Sequence, residues 1–139
     1  MLPAALAELH ALCFTTPRPW QADEFAALLV TPGIFLVSHG HGFALGRIAG
    51  PEAELLTLAV HPEARNAGHG RRLLEDFLRK ATNDGAEDVF LEVAENNAAA
   101  IALYLRSGFK KVAERAHYFR QQQGPALTAH IYKRVISPK

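Results

Sequence analysis

The stretch Val60-His61-Pro62-Glu63-Ala64-Arg65-Asn66-Ala67-Gly68-His69-Gly70-Arg71-Arg72-Leu73-Leu74 is where the chain changes character. Before it, the apolar run Leu55-Leu56-Thr57-Leu58-Ala59-Val60 reads as a buried strand. After it, Leu73, Leu74, Phe77, Leu78 and Ala81 recur at the three-and-four spacing of a helix packed by one face. The short loop between them carries Gly68 and Gly70, with Arg65, Arg71 and Arg72 around it. Strand, glycine loop, helix N-terminus and arginines together make a site for phosphate. The first N–H groups of a helix lack intrahelical partners, and the helix dipole favours an anion there. Glycine lets that backbone approach a ligand closely.

The composition narrows the classes of function. A chain of 139 residues is expected to form one domain with a core that needs neither disulfide nor metal. A net charge of +1 gives no reason to expect nucleic acid or a membrane surface as partner, so anion recognition has to be local. The single cysteine, Cys13, excludes an internal disulfide framework and suits a cytoplasmic location. As a small buried residue it needs no chemical role. No apolar run reaches membrane-spanning length. The N-terminal Met1-Leu2-Pro3-Ala4-Ala5-Leu6 lacks a basic leader and is interrupted by Glu8 and His10, so no signal peptide is expected.

Working outward, residues 3 to 13 read as a helix with Pro3 in its first turn and Leu6, Leu9, Leu12 and Cys13 on one face. Pro17 and Pro19 make residues 15 to 20 a loop, and a second helix from about Gln21 to Val30 buries Phe25, Leu28 and Leu29. Ile34 to Ser38 and Gly42 to Ala49 read as a hairpin turning at Gly40-His41. His39 and His41 flank that turn without an acidic or cysteine partner nearby and read as exposed loop residues, so no metal is expected. Ala53 to Val60 is the third strand. The central helix stops at Asn83-Asp84-Gly85. Val89 to Val93 follows as a strand apolar on both faces except for Glu92, a carboxylate that is costly to bury unpaired. Glu92 is therefore either solvated or arginine-paired near the strand end, or a working group. Asn96-Asn97 caps a helix over 98 to 106, which puts Asn97 and Tyr104, two turns apart, along one face. Phe109 to Glu114 and Leu127 to Val135 are the last strands, joined by a loop at Gln121 to Pro125.

The loop is neither a nucleotide-triphosphate loop, since no Gly-Lys-Ser/Thr follows, nor the dinucleotide fingerprint, since the third glycine and the ribose-binding acid are absent. The combination is more specific. Val60-x-Pro62-x-x-Arg65-x-x-Gly68-x-Gly70, followed by Glu92-Val93-x-x-x-Asn97-x-x-Ala100-x-x-x-Tyr104-x-x-x-Gly108-Phe109, resembles the GNAT superfamily of acetyl-CoA-dependent N-acetyltransferases. Over residues 3 to 135 the chain is most similar to its ribosomal-protein-alanine N-acetyltransferase group, RimI-like, also through Pro19-Trp20-x-x-x-x-Phe25. The resemblance implies an α/β (α+β) fold with a mixed, mostly antiparallel sheet of six or seven strands and about four helices. It implies acetyl-CoA as co-substrate, with pyrophosphate on Asn66, Ala67, Gly68, His69, Gly70 and Arg71, charge from Arg65 and Arg71 at the rim, and His69 merely exposed. It further implies pantetheine on the backbone of a bulged strand at Leu58, Ala59 and Val60, a cofactor contact at Asn97, Glu92 as proton acceptor and Tyr104 as proton donor. The implied acceptor is a peptide or protein N-terminus, and the enzyme a monomer or weak dimer.

The chemistry agrees. A peptide α-amine with pKa near 8 is roughly one-tenth neutral at pH 7, whereas lysine at about 10.4 is almost wholly charged. A carboxylate suffices to take the remaining proton, and a tyrosine hydroxyl can return one to the departing thiolate. Packing alone would also account for Tyr104. The chain departs from the group in two places. It begins almost at the first helix, without the usual short first strand. It also lacks the usual acidic residue before the last strand, where Gly124-Pro125-Ala126-Leu127 stands, with His117 and His130 nearby. Two other functions compete: acetylation of a small-molecule amine, and a non-catalytic acetyl-CoA-binding module.

Overall fold

The structure is a computed structural model that describes residues 2–14, 18–121 and 123–136. Two helices, α1 (Pro3–Cys13) and α2 (Ala22–Leu29), precede strands β1 (Ile34–His39), β2 (Gly42–Ala49) and β3 (Glu52–Val60). A single 3₁₀ turn, Pro62–Ala64, leads to α3 (His69–Asn83), then β4 (Asp88–Ala94), α4 (Ala98–Arg106), β5 (Lys110–Phe119) and β6 (Leu127–Val135). The strands form one six-stranded sheet in the order β1-β2-β3-β4-β6-β5. Among the described residues only the β3–β4 pair is parallel. This is the expected mixed, mostly antiparallel sheet with four flanking helices, at six strands among the described residues.

Helix α3 lays Leu74, Phe77, Leu78 and Ala81 on one face of the sheet, against Val89, Leu91 and Val93 of β4, and Tyr104 of α4 and Phe109 join the same cluster. The opposite face is covered over β1 to β3 by α1 and α2, with Leu6, Leu9 and Phe25 packed on Phe43, Leu45 and Ala59. Beyond β3 that second face is not helix-covered in the same way. Phe90 and Glu92 are half-buried there, with the Lys133 ammonium 5.6 Å over the Phe90 ring. Strand β4 is thus not buried on both faces, as its composition suggests, and Glu92 points to the open one.

A bulge in β3 organises these faces. Leu45 pairs with Thr57 but Gly46 pairs with Leu55, so Leu56 is an extra residue on β3. An extra residue shifts the alternation of side chains by one. Ala53 and Leu55 accordingly join the α3 cluster, whereas Leu56 and Ala59 join the α1–α2 cluster. The parallel pairing with β4 ends at the same place, at Leu55 with Leu91. On β2, Gly46 lies beneath a stacked Phe35–Phe77 pair whose centroids are 5.1 Å apart. A Cβ there would stand 2.2 Å from Phe77 Cε1 and 2.8 Å from Phe35 Cζ.

Helix α1 buries a different set from the one its apolar spacing suggests. Leu12 is 55% exposed, and His10 is 1% exposed among aromatic rings. Its ring stacks on Phe14 at 4.4 Å and Trp20 at 5.2 Å. Nδ1 accepts the Trp20 N–H at 3.0 Å, which leaves Nε2 to donate to Thr57 Oγ1 at 2.9 Å. One neutral imidazole thereby ties the start of α2 to the bulged strand.

Two predictions follow from this packing. Burial pushes the His10 pKa down to about 4, against a smaller opposing pull from the Glu24 carboxylate. The unfolded chain takes up that proton first, near 6.5, so stability falls as pH drops from about 6.5 towards 4, by on the order of 3 kcal/mol. Urea midpoints measured across this range should show that slope, and it should flatten in His10→Gln. Gly46→Ala should cost about 1–3 kcal/mol because the two rings must move apart; an unchanged melting temperature would contradict this packing.

Candidate active site

From Thr57 to Val60, β3 remains paired with β2 on one side but has left β4 on the other, while β4 continues to Ala94 beside β6. Two strands diverging from a shared base leave a wedge-shaped gap whose β3 wall presents backbone N–H and C=O groups. Extended amides of a ligand arm can pair with such groups as a strand would. The gap opens into a cleft of about 570 Å³ that runs from the glycine loop, between β3 and β4, to α1. Leu58, Ala59 and Val60 all line it, as the sequence suggests, although the bulge that opens it lies earlier, at Leu56.

The glycine loop closes one end. Asn66 and Gly68 take positive φ, +63° and +83°, the left-handed turns that swing the chain from the 3₁₀ turn into α3. Gly68 caps α3, and the first intrahelical bond runs from Arg72 N–H to Gly68 O at 3.0 Å. The amides of His69, Gly70 and Arg71 precede that bond and lie at the positive end of a 15-residue helix. Arg65, Asn66, Gly68, His69, Gly70 and Arg71 line the cleft, whereas Ala67 and Arg72 do not. Arg65 and Arg71 are exposed, Arg65 Nε reaching Val60 O at 3.4 Å and Arg71 pairing with Glu75 at 3.1 Å. Both can turn onto an anion at modest cost, because exposed ion pairs are weak.

Helix α4 supplies another wall. Asn97 caps it, its Oδ1 accepting the Ala100 N–H at 3.2 Å, and Asn97 and Tyr104 both line the cleft. Tyr104 is 7% exposed against Phe109, and burial pushes its phenol well above the usual range, so the hydroxyl stays protonated at any working pH. Glu92 lines the cleft from β4, 26% exposed, with Arg115 Nη1 at 3.4 Å from Oε1. Glu92 thus has the arginine partner that one reading of the sequence gives it, and it also lies in the cleft.

Several further lining residues are not assigned to the site from the sequence. His10, Thr57 and Trp20 form the α1 side, and Cys13 Sγ donates to Val60 O at 3.2 Å. The remaining histidines divide. His39 is not a loop residue but ends β1, with Nε2 2.9 Å from Asp76 Oδ2. His41 is exposed, and His69 is half-buried with its ring 4.5 Å from that of His41, rather than simply exposed. His117 takes φ +55° in β5, and His130 Nε2 lies 3.6 Å from Glu114. Among the described residues no three metal-ligating side chains converge. Where β6 begins without an acidic residue of its own, the carboxylate of Glu95, from the β4–α4 turn, accepts the Thr128 N–H. No helix among the described residues is long and apolar enough to cross a membrane.

The sequence profile of the Acetyltransferase (GNAT) family matches residues 4–109. The chain is 36% identical over 131 aligned positions to the N-alpha-acetyltransferase RimI of Mycobacterium tuberculosis, covering 88% of this chain and 81% of that protein. It is 39% identical over 82 positions to the [ribosomal protein bS18]-alanine N-acetyltransferase of Salmonella typhimurium, a match spanning 59% of this chain and 55% of that enzyme. The crystal structure of the ribosomal-protein-S18-alanine N-acetyltransferase of Escherichia coli superposes with a TM-score of 0.86 at 31% identity, covering 99% of this chain and 89% of that one. The diverging strands, the glycine loop and these likenesses agree, and the chain belongs to the GNAT family as an acetyl-CoA-dependent N-acetyltransferase.

Proposed function

We propose that the enzyme acetylates the N-terminal α-amine of a protein, of the ribosomal-protein-alanine type, by direct transfer in the cytoplasm. The observation that carries this reading is the occupancy of one cleft by the glycine loop, the diverging strands, Glu92 and Tyr104, in a chain related over most of its length to an N-alpha-acetyltransferase. Acetyl-CoA lies with its pyrophosphate on the α3 N-terminus and its pantetheine along Leu58–Val60, which carries the thioester into the gap. The acceptor amine comes from the open sheet face on which Glu92 stands.

Glu92 takes the proton of the amine as the nitrogen attacks the thioester carbonyl. The N–C bond forms, the C–S bond breaks, and Tyr104 hands its hydroxyl proton to the leaving sulfur. Tyr104 is then reprotonated, so the net change is one acetyl group moved and one proton carried from nitrogen to sulfur. Burial keeps the Tyr104 phenol protonated in the resting state, so the proton is in place when charge develops on the sulfur. An α-amine, about one-tenth neutral at pH 7, asks far less of Glu92 than a lysine side chain would.

The deciding experiment incubates the enzyme with acetyl-CoA and a proteome-derived peptide library and locates the new acetyl groups by mass spectrometry. Acetylation of α-amines, alanine foremost, is expected; enrichment on lysine side chains alone sinks the assignment, and preference for small amines in a competing thiol-release assay favours a small-molecule acceptor. In the same assay Glu92→Gln should lower kcat ten- to a thousandfold. Tyr104→Phe, which keeps the packed ring, should do likewise without lowering the melting temperature by more than a few degrees. Full activity in Tyr104→Phe removes the acid role.

A further inference from the structure

We propose that Arg115 is a positioning residue that holds the place of the acceptor's ammonium on Glu92 in the free enzyme and is exchanged for it when the acceptor binds. The inference rests on the reading of Glu92 as the group that receives the acceptor amine. It begins with topology. Glu92 of β4 lies opposite Ile131 of β6, and Arg115 of β5 lies opposite Ala129 of the same strand. The arginine therefore reaches across the whole of β6, over two small or apolar neighbours, to bring Nη1 to 3.4 Å from Glu92 Oε1.

Glu92 stands where two cavities meet. The cleft already described and a second one, of about 260 Å³ on the open sheet face, share Glu54, Leu91 and Glu92 in their walls. Arg115 lines only the second. The other charges around it are Arg47, paired with Glu54, and Glu52 at the far rim; Lys133 of β6 lies 4.0 Å from Asp88 and over Phe90. Among the described residues Arg115 is thus the cation set against Glu92, on the side from which the proposed acceptor comes.

The exchange is physically cheap. The Arg115 side chain is 53% exposed, and a pair of that kind is worth little. The guanidinium also has a second attachment, the Tyr118 ring 5.1 Å away, that remains when Glu92 is given up. The strand is irregular on both sides of Arg115, with register breaks at Lys111–Ala113 and at Arg115–Phe119 and the positive φ of His117 between. A cationic α-amine, about nine-tenths of the population at neutral pH, competes directly for the carboxylate, and two cations cannot share it without repulsion. Arg115 thereby sets how much of a cationic acceptor's attraction to Glu92 appears as affinity.

The test is a split between KM and kcat. With an alanine-initiated acceptor peptide, Arg115→Ala and Arg115→Gln should each lower the peptide KM two- to fivefold, with a smaller change in kcat and none in the KM for acetyl-CoA. Arg115→Lys, which keeps a displaceable cation, should restore the wild-type KM. In a Glu92→Gln background, peptide dissociation constants measured calorimetrically with CoA present should no longer respond to Arg115→Ala. A peptide KM that rises on removing Arg115, or falls equally without the Glu92 charge, overturns the exchange. Full activity in Glu92→Gln would instead overturn the base reading on which it rests, whereas an impaired Glu92→Gln with no response to Arg115→Ala overturns the exchange alone.

Discussion

A strand in the middle of a sheet normally satisfies its backbone on both sides, and the rest of this molecule depends on β3 failing to do so. The cause is one residue. Leu56 is extra with respect to β2, and an extra residue changes both the twist of the strand and the side to which its later residues point. Ala53 and Leu55 face α3, Leu56 and Ala59 face α1 and α2, and the pairing with β4 stops between the two sets. Each part of the site needs this. The glycine loop would hold an anion at any helix N-terminus, but only a parted strand pair lets an extended ligand arm run from that anion into the sheet. The gap also joins the two sheet faces, which otherwise bury separate cores.

An unpaired strand segment has to be held open, and the α1–α2 side supplies the support. His10 donates to Thr57 just past the bulge while accepting from the Trp20 backbone, and Cys13 donates to Val60 O at the strand's end. These contacts fix β3 from the face opposite α3. A histidine in this position carries its structural role only while neutral, and the surrounding rings enforce that by withholding water. The same contacts set the orientation of the α1–α2 segment that forms one wall of the cleft.

Much of this architecture was legible in the sequence because its signals are local. Helical spacing in α3, the glycines of the loop and the Asn97 cap are read within a turn or two, and their pattern together with Glu92 and Tyr104 is what resembles the GNAT family. The features that escaped depend on partners distant in sequence. The resemblance implies a bulged strand, but its place at Leu56 has no marker, since Leu-Leu-Thr-Leu is equally good as a regular strand, and only the register against Leu45 and Gly46 reveals it. Apolar spacing put Leu12 on the buried face of α1, but the pocket formed by Phe14, Trp20 and Phe25 takes the ring of His10 instead. Strand β4 reads as doubly buried because its composition is that of a central strand; α1 and α2 cover only β1 to β3, and that extent is not encoded in β4. Arg115, 23 positions beyond Glu92, becomes its neighbour through the antiparallel return of β5 on β6.

The uneven cover of the sheet also accounts for a division between the two groups proposed to move protons. Tyr104 sits on the closed face, enclosed with Phe109 under α4, where burial holds a phenol in its neutral form. Glu92 sits on the open face, half-buried beside the Arg115 guanidinium. A donor that must begin protonated and an acceptor that must begin ionised require opposite environments, and one uniform pocket could not provide both. Here the two environments are the two sides of a single sheet, separated by the thickness of a strand. On the proposed mechanism, a thioester reaching in from α3 meets, in the gap beside Leu56, an amine coming from the other side.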